Sequence, residues 1–399
     1  MLKFIPMPQQ NHILFISSWY PNRNNPTHGI FNQAFAEAAA LYNKVSVLHV
    51  CSDQHLSTDF EVVTSTEKDI TTVTVYYKKI EGGISVLSQL KKRKQLIRGF
   101  ETGYQQVLSQ IGAPDLIQLN VVMPSGIGAF SLSKKYGIPY VVNEGWSGYC
   151  PDDGSYKGLA LKYFTRKIIA RAQLILPVSE DLKEAMLHHH LYGNYHIVPN
   201  VVNTALFVPE NSKAHSNSKF IHISTLDDSQ KNVSGILRAF KNAKEQQPDI
   251  ELTLVGEGSN RQALEALVTQ LGLQAQVTFT GRLMGKHLVN VLNAHDALVM
   301  FSNYETFCLT VAESLACGKP VITSRAGGLT NQLDSGLGMV IDKKDEAALT
   351  NCLLLFKSRR EEFDTARMRQ LIVDRYSTEK VGKLLTEMYN TVLLKSTIK

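Results

Sequence analysis

The sequence predicts an α/β protein built from two Rossmann-like, doubly wound domains that face a cleft. Short apolar runs of strand length alternate with helical stretches in two separate series, and a segment rich in Pro, Asn, Ser and Lys divides the two series. At 399 residues, the chain also exceeds what one hydrophobic core usually supports. Because ligands of such open sheets bind at the carboxyl ends of the strands, we expect the functional residues there.

The first series of strand-like runs covers the N-terminal half. We predict strands at His12 to Ser17, Val45 to Val50, Thr72 to Lys78, Asp115 to Leu119, Pro139 to Asn143 and Leu174 to Val178. Helical stretches lie between most of these runs, and this rhythm is typical of a parallel sheet. A domain of residues 1–200 is therefore expected.

The segment from Asn200 to Lys219 has no sustained periodicity and is predicted to contain the domain linker. The second series of predicted strands is Phe220 to Ser224, Glu251 to Val255, Val277 to Thr280, Ala297 to Phe301 and Pro320 to Thr323. This series predicts a second domain of residues 201–377, followed by a final helix in 378–399. The run after Glu251 ends in a Gly-x-Gly turn, which is a weak phosphate-loop pattern and more often only a tight turn.

Composition indicates an ordinary globular protein, with 44% hydrophobic and 20% charged residues and a formal net charge of +6. No apolar run approaches the length of a membrane span, and the first residues lack the pattern of a signal peptide, so a cytoplasmic location is expected. The cysteines are Cys51, Cys150, Cys308, Cys317 and Cys352. Their odd number and scattered spacing argue against a disulfide framework or a zinc site.

The segment from Ala297 to Leu329 joins two acids, a helix start and a glycine turn. After the apolar run, Glu305 precedes a helix predicted to begin near Thr306 or Phe307, and Glu313 follows eight residues later. The first amides of a helix lack intrahelical partners and lie at the positive end of the dipole, so a diphosphate is favoured there. Two carboxylates on either side can accept hydrogen bonds from sugar hydroxyls, although most such pairs are a loop acid and a solvated helix acid.

This segment resembles the E-x7-E signature of the retaining glycosyltransferases of family four, the group 1 glycosyl transferases, which have the GT-B fold. The resemblance implies that Glu305 contacts the transferred sugar and that Glu313 contacts the ribose of a UDP- or GDP-linked donor. It further implies that amides of Phe307, Cys308 and Leu309 face the sugar and phosphate. The last helix is expected to cross back to the first domain.

Three cationic residues are candidate donor contacts by the same resemblance. Lys231 matches a lysine that neutralises the diphosphate, and Arg282 lies where the family places a loop against the nucleotide base. The family has an arginine shortly before this lysine, whereas this chain has Ser224-Thr225-Leu226. Arg325, just before Gly327-Gly328, is a candidate replacement. Each of these side chains has the alternative of being only solvated.

In the first domain, the loop from Ser17 to Gln33 follows a strand and is rich in turn residues, as loops that build sites are. Gly29 matches the family's glycine loop near the first helix, and His28 and Asn32 are candidate acceptor or phosphate contacts. A second loop, after the run ending at Asn143, begins with Glu144.

The candidate catalytic residues are Glu144, Glu305 and Lys231. Gly145, the next residue, stands where the family has a histidine that approaches the donor sugar. As a lone acid, Glu144 has the alternative of being a structural hydrogen-bond acceptor.

The stretch of residues 86–100 combines basic and apolar side chains. Its basic residues are Lys91, Lys92, Arg93, Lys94 and Arg98, and its apolar stripe is Leu87, Leu90, Leu96, Ile97 and Phe100. Such a helix either lies on an anionic membrane surface or packs its stripe on its own domain. Nucleic acid is not expected as a partner, because no aromatic platform is interleaved with the cations.

The expected function is transfer of a hexose, with retention, to a glycan or lipid-linked acceptor in cell-surface polysaccharide synthesis. The acidic pairs Asp152-Asp153 and Asp227-Asp228 are expected to be solvated turns, so no metal and no cofactor other than the donor substrate is expected. The alternative is a nucleotide-sugar-binding partner or regulatory subunit with the same fold and little or no catalysis, since Gly145 and Ser224-Thr225-Leu226 depart from the family pattern.

Overall fold

A computed structural model describes residues 10–79, 86–210 and 218–397. The chain forms two compact units, one of Met1–Tyr149, Ser155–Val201 and Thr378–Lys399, the other of Cys150–Gly154 and Val202–Ser377. Of the predicted linker, residues 211–217 lie outside the described part of the chain. No helix in the described part is both long and apolar enough to span a bilayer.

The first unit is built on a seven-stranded sheet. Its strands are β1 (His12–Ser17), β2 (Lys44–Asp53), β3 (Phe60–Glu67), β4 (Ile70–Lys78), β5 (Leu116–Asn120), β6 (Tyr140–Glu144) and β7 (Leu174–Pro177). The sheet order is β3-β4-β2-β1-β5-β6-β7, and every pairing is parallel except that of β3 with β4. The order reverses beside β1, and such a switch point is where open sheets bind ligands.

The strand β3 was not predicted from the sequence. It pairs only with β4 at the sheet edge, and most of its side chains are exposed. An exposed edge strand needs no apolar run to cover a core, so the criterion that finds the buried strands does not find it.

In the described part of the first unit, five helices each follow a strand of this sheet: α1 (Ile30–Ala40), α2 (Val86–Gln110), α3 (Gly126–Tyr136), α4 (Leu159–Arg171) and α5 (Glu180–His188). The helices α2, α3 and α4 pack in sequence as one layer. On α2, Gly103 lies directly against Leu48 and Val75, where any larger side chain would overlap them. This close approach seats α2 on the sheet.

The second unit contains a six-stranded, all-parallel sheet. Its strands are β8 (Lys219–Ile223), β9 (Glu251–Val255), β10 (Val277–Gly281), β11 (Ala297–Met300), β12 (Val321–Ser324) and β13 (Gly338–Ile341), in the order β10-β9-β8-β11-β12-β13. Its helices are α6 (Asp228–Lys231), α7 (Val233–Gln246), α8 (Arg261–Gln270), α9 (Gly285–Asn293), α10 (Leu309–Ala316), α11 (Glu346–Leu355) and α12 (Thr365–Tyr376). The predicted α/β class with two largely parallel sheets is confirmed.

The final helix, α13 (Thr378–Thr397), belongs to the first unit, where it packs against α1. Buried Tyr389 donates a hydrogen bond to Gln118 of β5, and the amide group of Asn43 donates to Thr386. These contacts fix the end of the chain to the unit formed by its beginning.

The Gly-x-Gly turn after β9 has a steric role. A Cβ atom at Gly256 would overlap the carbonyl oxygen of Ser224, and one at Gly258 would overlap that of Thr225. The turn therefore allows the loop after β8 to pass directly against it, and this contact accounts for both glycines without a phosphate.

We expect Gly256→Ala to destabilise the protein by roughly 3 kcal/mol, because Gly256 has a φ of 138° in addition to the overlap with backbone. Chemical denaturation of the variant and the parent protein measures the loss. Gly272→Ala is the matched control, since Gly272 also has a positive φ but has no atom near its Cβ position. A loss at residue 256 no larger than at 272 would contradict the steric explanation.

Candidate functional site

The site in the second unit forms where β11 ends. The buried strand Ala297–Met300 runs into a loop, and α10 begins only at Leu309, after Cys308 in a left-handed conformation with a φ of 68°. The expected start at Thr306 or Phe307 is therefore wrong by two to three residues. Glu305 lies in the loop and Glu313 on the helix, so the two acids are held by different elements.

Glu305 and Lys231 form a close ion pair. The Lys231 Nζ lies 2.6 Å from Glu305 Oε1, and the two side chains are 13% and 8% exposed. Burial opposes the charge of Lys231, but the neighbouring carboxylate outweighs it and raises the lysine pKa. The two residues singled out from distant parts of the sequence thus meet in one site.

The second oxygen of Glu305 makes no recorded hydrogen bond to the described chain. Ser302 Oγ donates to the same Oε1 atom at 2.8 Å, and Ser302 is itself held by Ser324, whose hydroxyl donates to its carbonyl oxygen at 2.6 Å. Oε1 is therefore fixed by two donors while Oε2 is open to a ligand hydroxyl. Sequence reasoning missed Ser302, although its place at the end of a strand, three residues before Glu305, was a usable signal.

Asn303 ties the two loops of this site together. Its amide N–H donates to Gln230 O and its side chain donates to Ser229 O, both at 2.8 Å. Asp227 caps the short helix that carries Lys231 by accepting from Ser229 N. These bonds fix the backbone of the short helix from which the Lys231 side chain reaches Glu305.

Glu313 is a half-buried carboxyl group without a hydrogen-bond or ion-pair partner in the described part of the chain. Burial alone raises its pKa to about 8. A carboxyl group kept from water without a donor costs free energy in the absence of a ligand. Such a cost is expected of a residue whose hydrogen-bond donors are supplied by a bound ligand.

The amino end of α10 offers unpaired amides. No acceptor is recorded within the described chain for the N–H groups of Cys308 and Leu309, and the N-cap has no side-chain hydrogen bond. Cys308 and Phe307 are buried, and the Phe307 ring packs edge-on against Tyr376 at 5.3 Å between centroids. Phe307 therefore contributes packing as well as any amide contact. Burial raises the pKa of the Cys308 thiol to about 12, so the thiol is neutral.

The Gly327-Gly328 turn lies against the loop that carries Glu305. In the structure, a Cβ at Gly328 would overlap the backbone of Phe307 and crowd that of Thr306, and Leu329 N donates to Phe307 O at 3.0 Å. The second glycine is thus explained by packing against the loop that carries Glu305.

The two candidate arginines are not drawn into the ion pair. Arg325 is exposed, and its side chain has no recorded partner in the described chain. Arg282 is also exposed, at the loop after β10. No ion pair with Lys231 or Glu305 is recorded for either arginine in the described chain, so the donor contacts expected of them stay predictions.

In the first unit, Glu144 is placed differently from the expectation of a catalytic acid. It is fully buried, and its Oε1 accepts from the amides of Gly145 and Trp146 at 2.9 Å each. Its Oε2 accepts from Val122 N at 3.0 Å and Tyr149 OH at 3.4 Å. Burial raises its pKa in spite of these donors. Glu144 is a structural acceptor that fixes the loop after β6, and no lone pair is left for a substrate.

We expect Glu144→Gln to lower stability by about 2–3 kcal/mol, because the amide nitrogen cannot accept from the donors that the second oxygen serves. Thermal unfolding of the variant measures the change. Glu180→Gln, on an exposed helix end, is the control. Unchanged stability with lost turnover would restore the catalytic assignment of Glu144.

Gly29 and Asn32 also have structural explanations. A Cβ at Gly29 would overlap the backbone of Trp19, and Asn32 is buried and donates to Trp19 O at 2.8 Å. Both residues hold the loop after β1 in shape, which corrects the expectation that Asn32 contacts a ligand. His28 is half-buried with a pKa lowered by burial and has no recorded side-chain hydrogen bond, so it stays a candidate contact.

Nothing steric requires glycine at residue 145. A Cβ there would meet only Val178, at an ordinary 3.6 Å. The position that the family fills with histidine thus has room for at least the first side-chain atom.

The expected apolar stripe of residues 86–100 packs mostly on its own unit. Leu96 and Phe100 are buried, whereas Leu90 is exposed; the side chain of Leu87 lies outside the described part of the chain. Leu96 and Phe100 are therefore core residues, which agrees for this part of the stripe with the alternative that it packs on its own domain. Among the described residues, no group of three or more His, Cys, Asp and Glu side chains is arranged to hold a metal ion.

Residues 206–369 match the family model of glycosyl transferases group 1. The chain is 31% identical over 151 residues to sulfoquinovosyl transferase SQD2 of Arabidopsis thaliana, a match that covers 38% of this chain and 27% of that protein. It is 32% identical over 134 residues to the MMP alpha-(1->4)-mannosyltransferase of Mycolicibacterium hassiacum, covering 34% of this chain and 32% of that protein. The matches to these two relatives span about a third or less of their length.

Two solved structures show the fold over nearly the whole chain. Sucrose-phosphate synthase from Thermosynechococcus elongatus superposes with a TM-score of 0.75 and 20% identity, covering 97% of this chain and 100% of that one. HepE of Anabaena, in complex with UDP and glucose, superposes with a TM-score of 0.71 and 16% identity, covering 96% and 100%. The chain therefore has the GT-B fold, and its residues 206–369 are similar to the group 1 glycosyl transferases.

Proposed function

We propose that the protein transfers a hexose from a UDP- or GDP-linked donor to a hydroxyl of a glycan or lipid-linked acceptor in cell-surface polysaccharide synthesis. The observation that carries the proposal is a pair of acids in the second unit: Glu305 is held beside Lys231, and the half-buried Glu313 has no recorded partner in the described chain. A carboxylate with only a structural role would accept hydrogen bonds from the protein at both oxygens, as Glu144 does.

The donor would lie along the loop and first turn of α10. Lys231 and the free amides of Cys308 and Leu309 would neutralise the diphosphate, Glu305 Oε2 would accept from a sugar hydroxyl, and Glu313 would accept from the ribose. The Lys231 ammonium is already paired with Glu305; the other contacts use groups for which the described chain records no partner.

The reaction we propose proceeds with retention. The bond between the anomeric carbon and the diphosphate oxygen breaks, a bond to the acceptor oxygen forms on the same face, and the acceptor proton passes to the departing phosphate oxygen. No protein base is needed. The second unit would contribute by positioning the donor and by stabilising the leaving charge through Lys231 and the α10 amides.

The test is release of nucleotide from UDP- and GDP-hexoses, with and without EDTA, by the full chain and by Glu305→Gln. We expect turnover that EDTA leaves intact and that the variant lowers at least about 100-fold. Glu245→Gln, an acid on an exposed helix face, should keep full turnover. Proton NMR of the product gives its anomeric configuration, and inversion would contradict the retaining reaction.

A second candidate is a nucleotide-sugar-binding subunit without transferase activity. It is favoured by Gly145 and by the loop 224–226, which contains no cation. Saturable binding of a nucleotide sugar, with no nucleotide release at any acceptor tested, would favour this candidate over the enzyme.

A further inference from the structure

The outward face of α4 is both apolar and cationic. Residues spaced three and four apart along this helix line one open groove of about 530 Å³: Leu159, Lys162, Tyr163, Arg166, Lys167 and Ala170. The opposite side of the helix, with Thr165, Ile168 and Ile169, is buried in the unit. The pattern therefore leaves the groove side, and not the packed side, facing solvent.

Leu159 is the most exposed large apolar side chain in the described part of the chain, at 90%, and Tyr163 on the next turn is 52% exposed. Leu159 opens the helix directly after Gly158, which has a φ of 97° and supplies no cap. Leu90 of α2, at 52%, is a further exposed leucine in the same helical layer. Exposing large apolar side chains to water costs free energy, and a partner that covers them removes this cost.

An apolar cavity of about 160 Å³ adjoins this groove and shares Tyr163 and Lys167 with it. Ile127, Phe130 and Phe164 line its interior. Arg93 of α2 also lines the cavity, with its guanidinium carbon 4.4 Å from the centre of the Phe164 ring. An apolar cavity beside a guanidinium and an ammonium group suits a hydrocarbon chain that is attached to an anionic group.

The layer formed by α2, α3 and α4 is strongly cationic. Its three helices hold eleven Lys and Arg residues and one acid, Glu101, while the whole chain carries a net charge of only +6. That one acid is already paired with Lys135. The positive charge of the protein is thus concentrated on one layer of one unit, around the exposed leucines.

We propose that the α2–α4 surface docks on an anionic lipid bilayer, with Leu159 and Tyr163 entering the interface and Arg93, Arg166 and Lys167 meeting the headgroups. An interfacial contact needs apolar side chains flanked by cations and no acids, and this surface has that arrangement. This bilayer contact differs from the membrane contact considered for residues 86–100 alone. Its inserting side chains lie on α4, and Leu96 and Phe100 do not touch the bilayer because they are buried in the unit. It does not depend on the proposed transferase activity.

The experiment is cosedimentation of the full chain with vesicles of phosphatidylcholine and phosphatidylglycerol at a 7:3 ratio, and with pure phosphatidylcholine vesicles. We expect binding to the anionic vesicles, with affinity that falls as salt rises, and little binding to the neutral ones. Arg166→Glu/Lys167→Glu should lower the affinity at least roughly 30-fold, because each lost cation contributes about fivefold. The matched control, Lys286→Glu/Lys395→Glu, changes the net charge equally at exposed sites outside the surface and should bind as the parent does.

Insertion is tested separately with Leu159→Trp and brominated phosphatidylcholine in the same anionic vesicles. Quenching of the new tryptophan is expected, whereas Tyr192→Trp, at another exposed position, should not be quenched. The proposal is overturned if both charge-reversal pairs bind alike, or if the new tryptophan at 159 is no more quenched than that at 192. Binding to duplex DNA but not to vesicles would also overturn it and assign the surface to nucleic acid.

Discussion

Lys231→Met is expected to abolish sugar transfer and to destabilise the protein. The change leaves the Glu305 carboxylate, only 8% exposed, with Ser302 as its remaining recorded donor. Breaking a buried pair on one side costs about 3 kcal/mol. Loss of the cation beside the leaving diphosphate should lower turnover by about 100- to 1000-fold. Denaturant unfolding and nucleotide release measure the two effects.

The double variant Lys231→Met/Glu305→Gln separates stability from chemistry. With both charges gone, most of the lost stability should return, while transfer stays abolished because neither group is present to act. Lys241→Met is the matched control: its pair with Glu245 is on the surface, so we expect a change below about 0.5 kcal/mol and full activity. Active Lys231→Met protein would remove Lys231 from the mechanism.

Glu313→Gln is expected to stabilise the ligand-free protein at alkaline pH while weakening nucleotide binding. Burial raises the Glu313 pKa from 4.5 to about 8. Below pH 4.5 the carboxyl group is neutral in the folded and unfolded chains alike. Between pH 4.5 and 8 the unfolded chain releases the proton and the folded chain keeps it, so stability is lost as the pH rises, and above pH 8 the loss is complete.

The neutral amide of Glu313→Gln avoids this loss. The free energy of unfolding of the variant should therefore exceed that of the parent by on the order of 3 kcal/mol at pH 9 and by little at pH 4.5. Urea unfolding at both pH values measures the difference, and Glu265→Gln on an exposed helix face is the control. Equal stabilities at pH 9 would show that Glu313 does not hold a raised pKa.

Much of the fold could be predicted because buried parallel strands leave a direct pattern in the sequence. The runs at His12, Glu251 and Ala297 are strands with bounds close to those expected, since each is mostly apolar and of strand length. The exceptions, β3 and β13, have another physical basis. The first is an exposed edge, and the second is a four-residue strand with two partly exposed residues.

The site was predictable in its residue types but not in their partners. Lys231 and Glu305 are 74 residues apart, and no local pattern shows that they meet. Glu144 ends a strand and Glu313 lies on a helix. Four donors of the protein reach the carboxylate of Glu144, whereas none is recorded for Glu313 in the described chain. Saturation depends on where neighbouring amides point, which only the folded backbone determines.

The central claim, that the second unit binds a nucleotide sugar through Glu313, is tested most directly by calorimetric titration with UDP, GDP and their hexose conjugates at pH 7 in phosphate and in Tris. A ribose hydroxyl that donates to Glu313 favours the ionised carboxylate. We therefore predict that one nucleotide binds with release of roughly half to one proton, seen as a buffer-dependent enthalpy that Glu313→Gln lacks. Absence of binding by every nucleotide, or binding with the same enthalpy in both buffers, would contradict the claim.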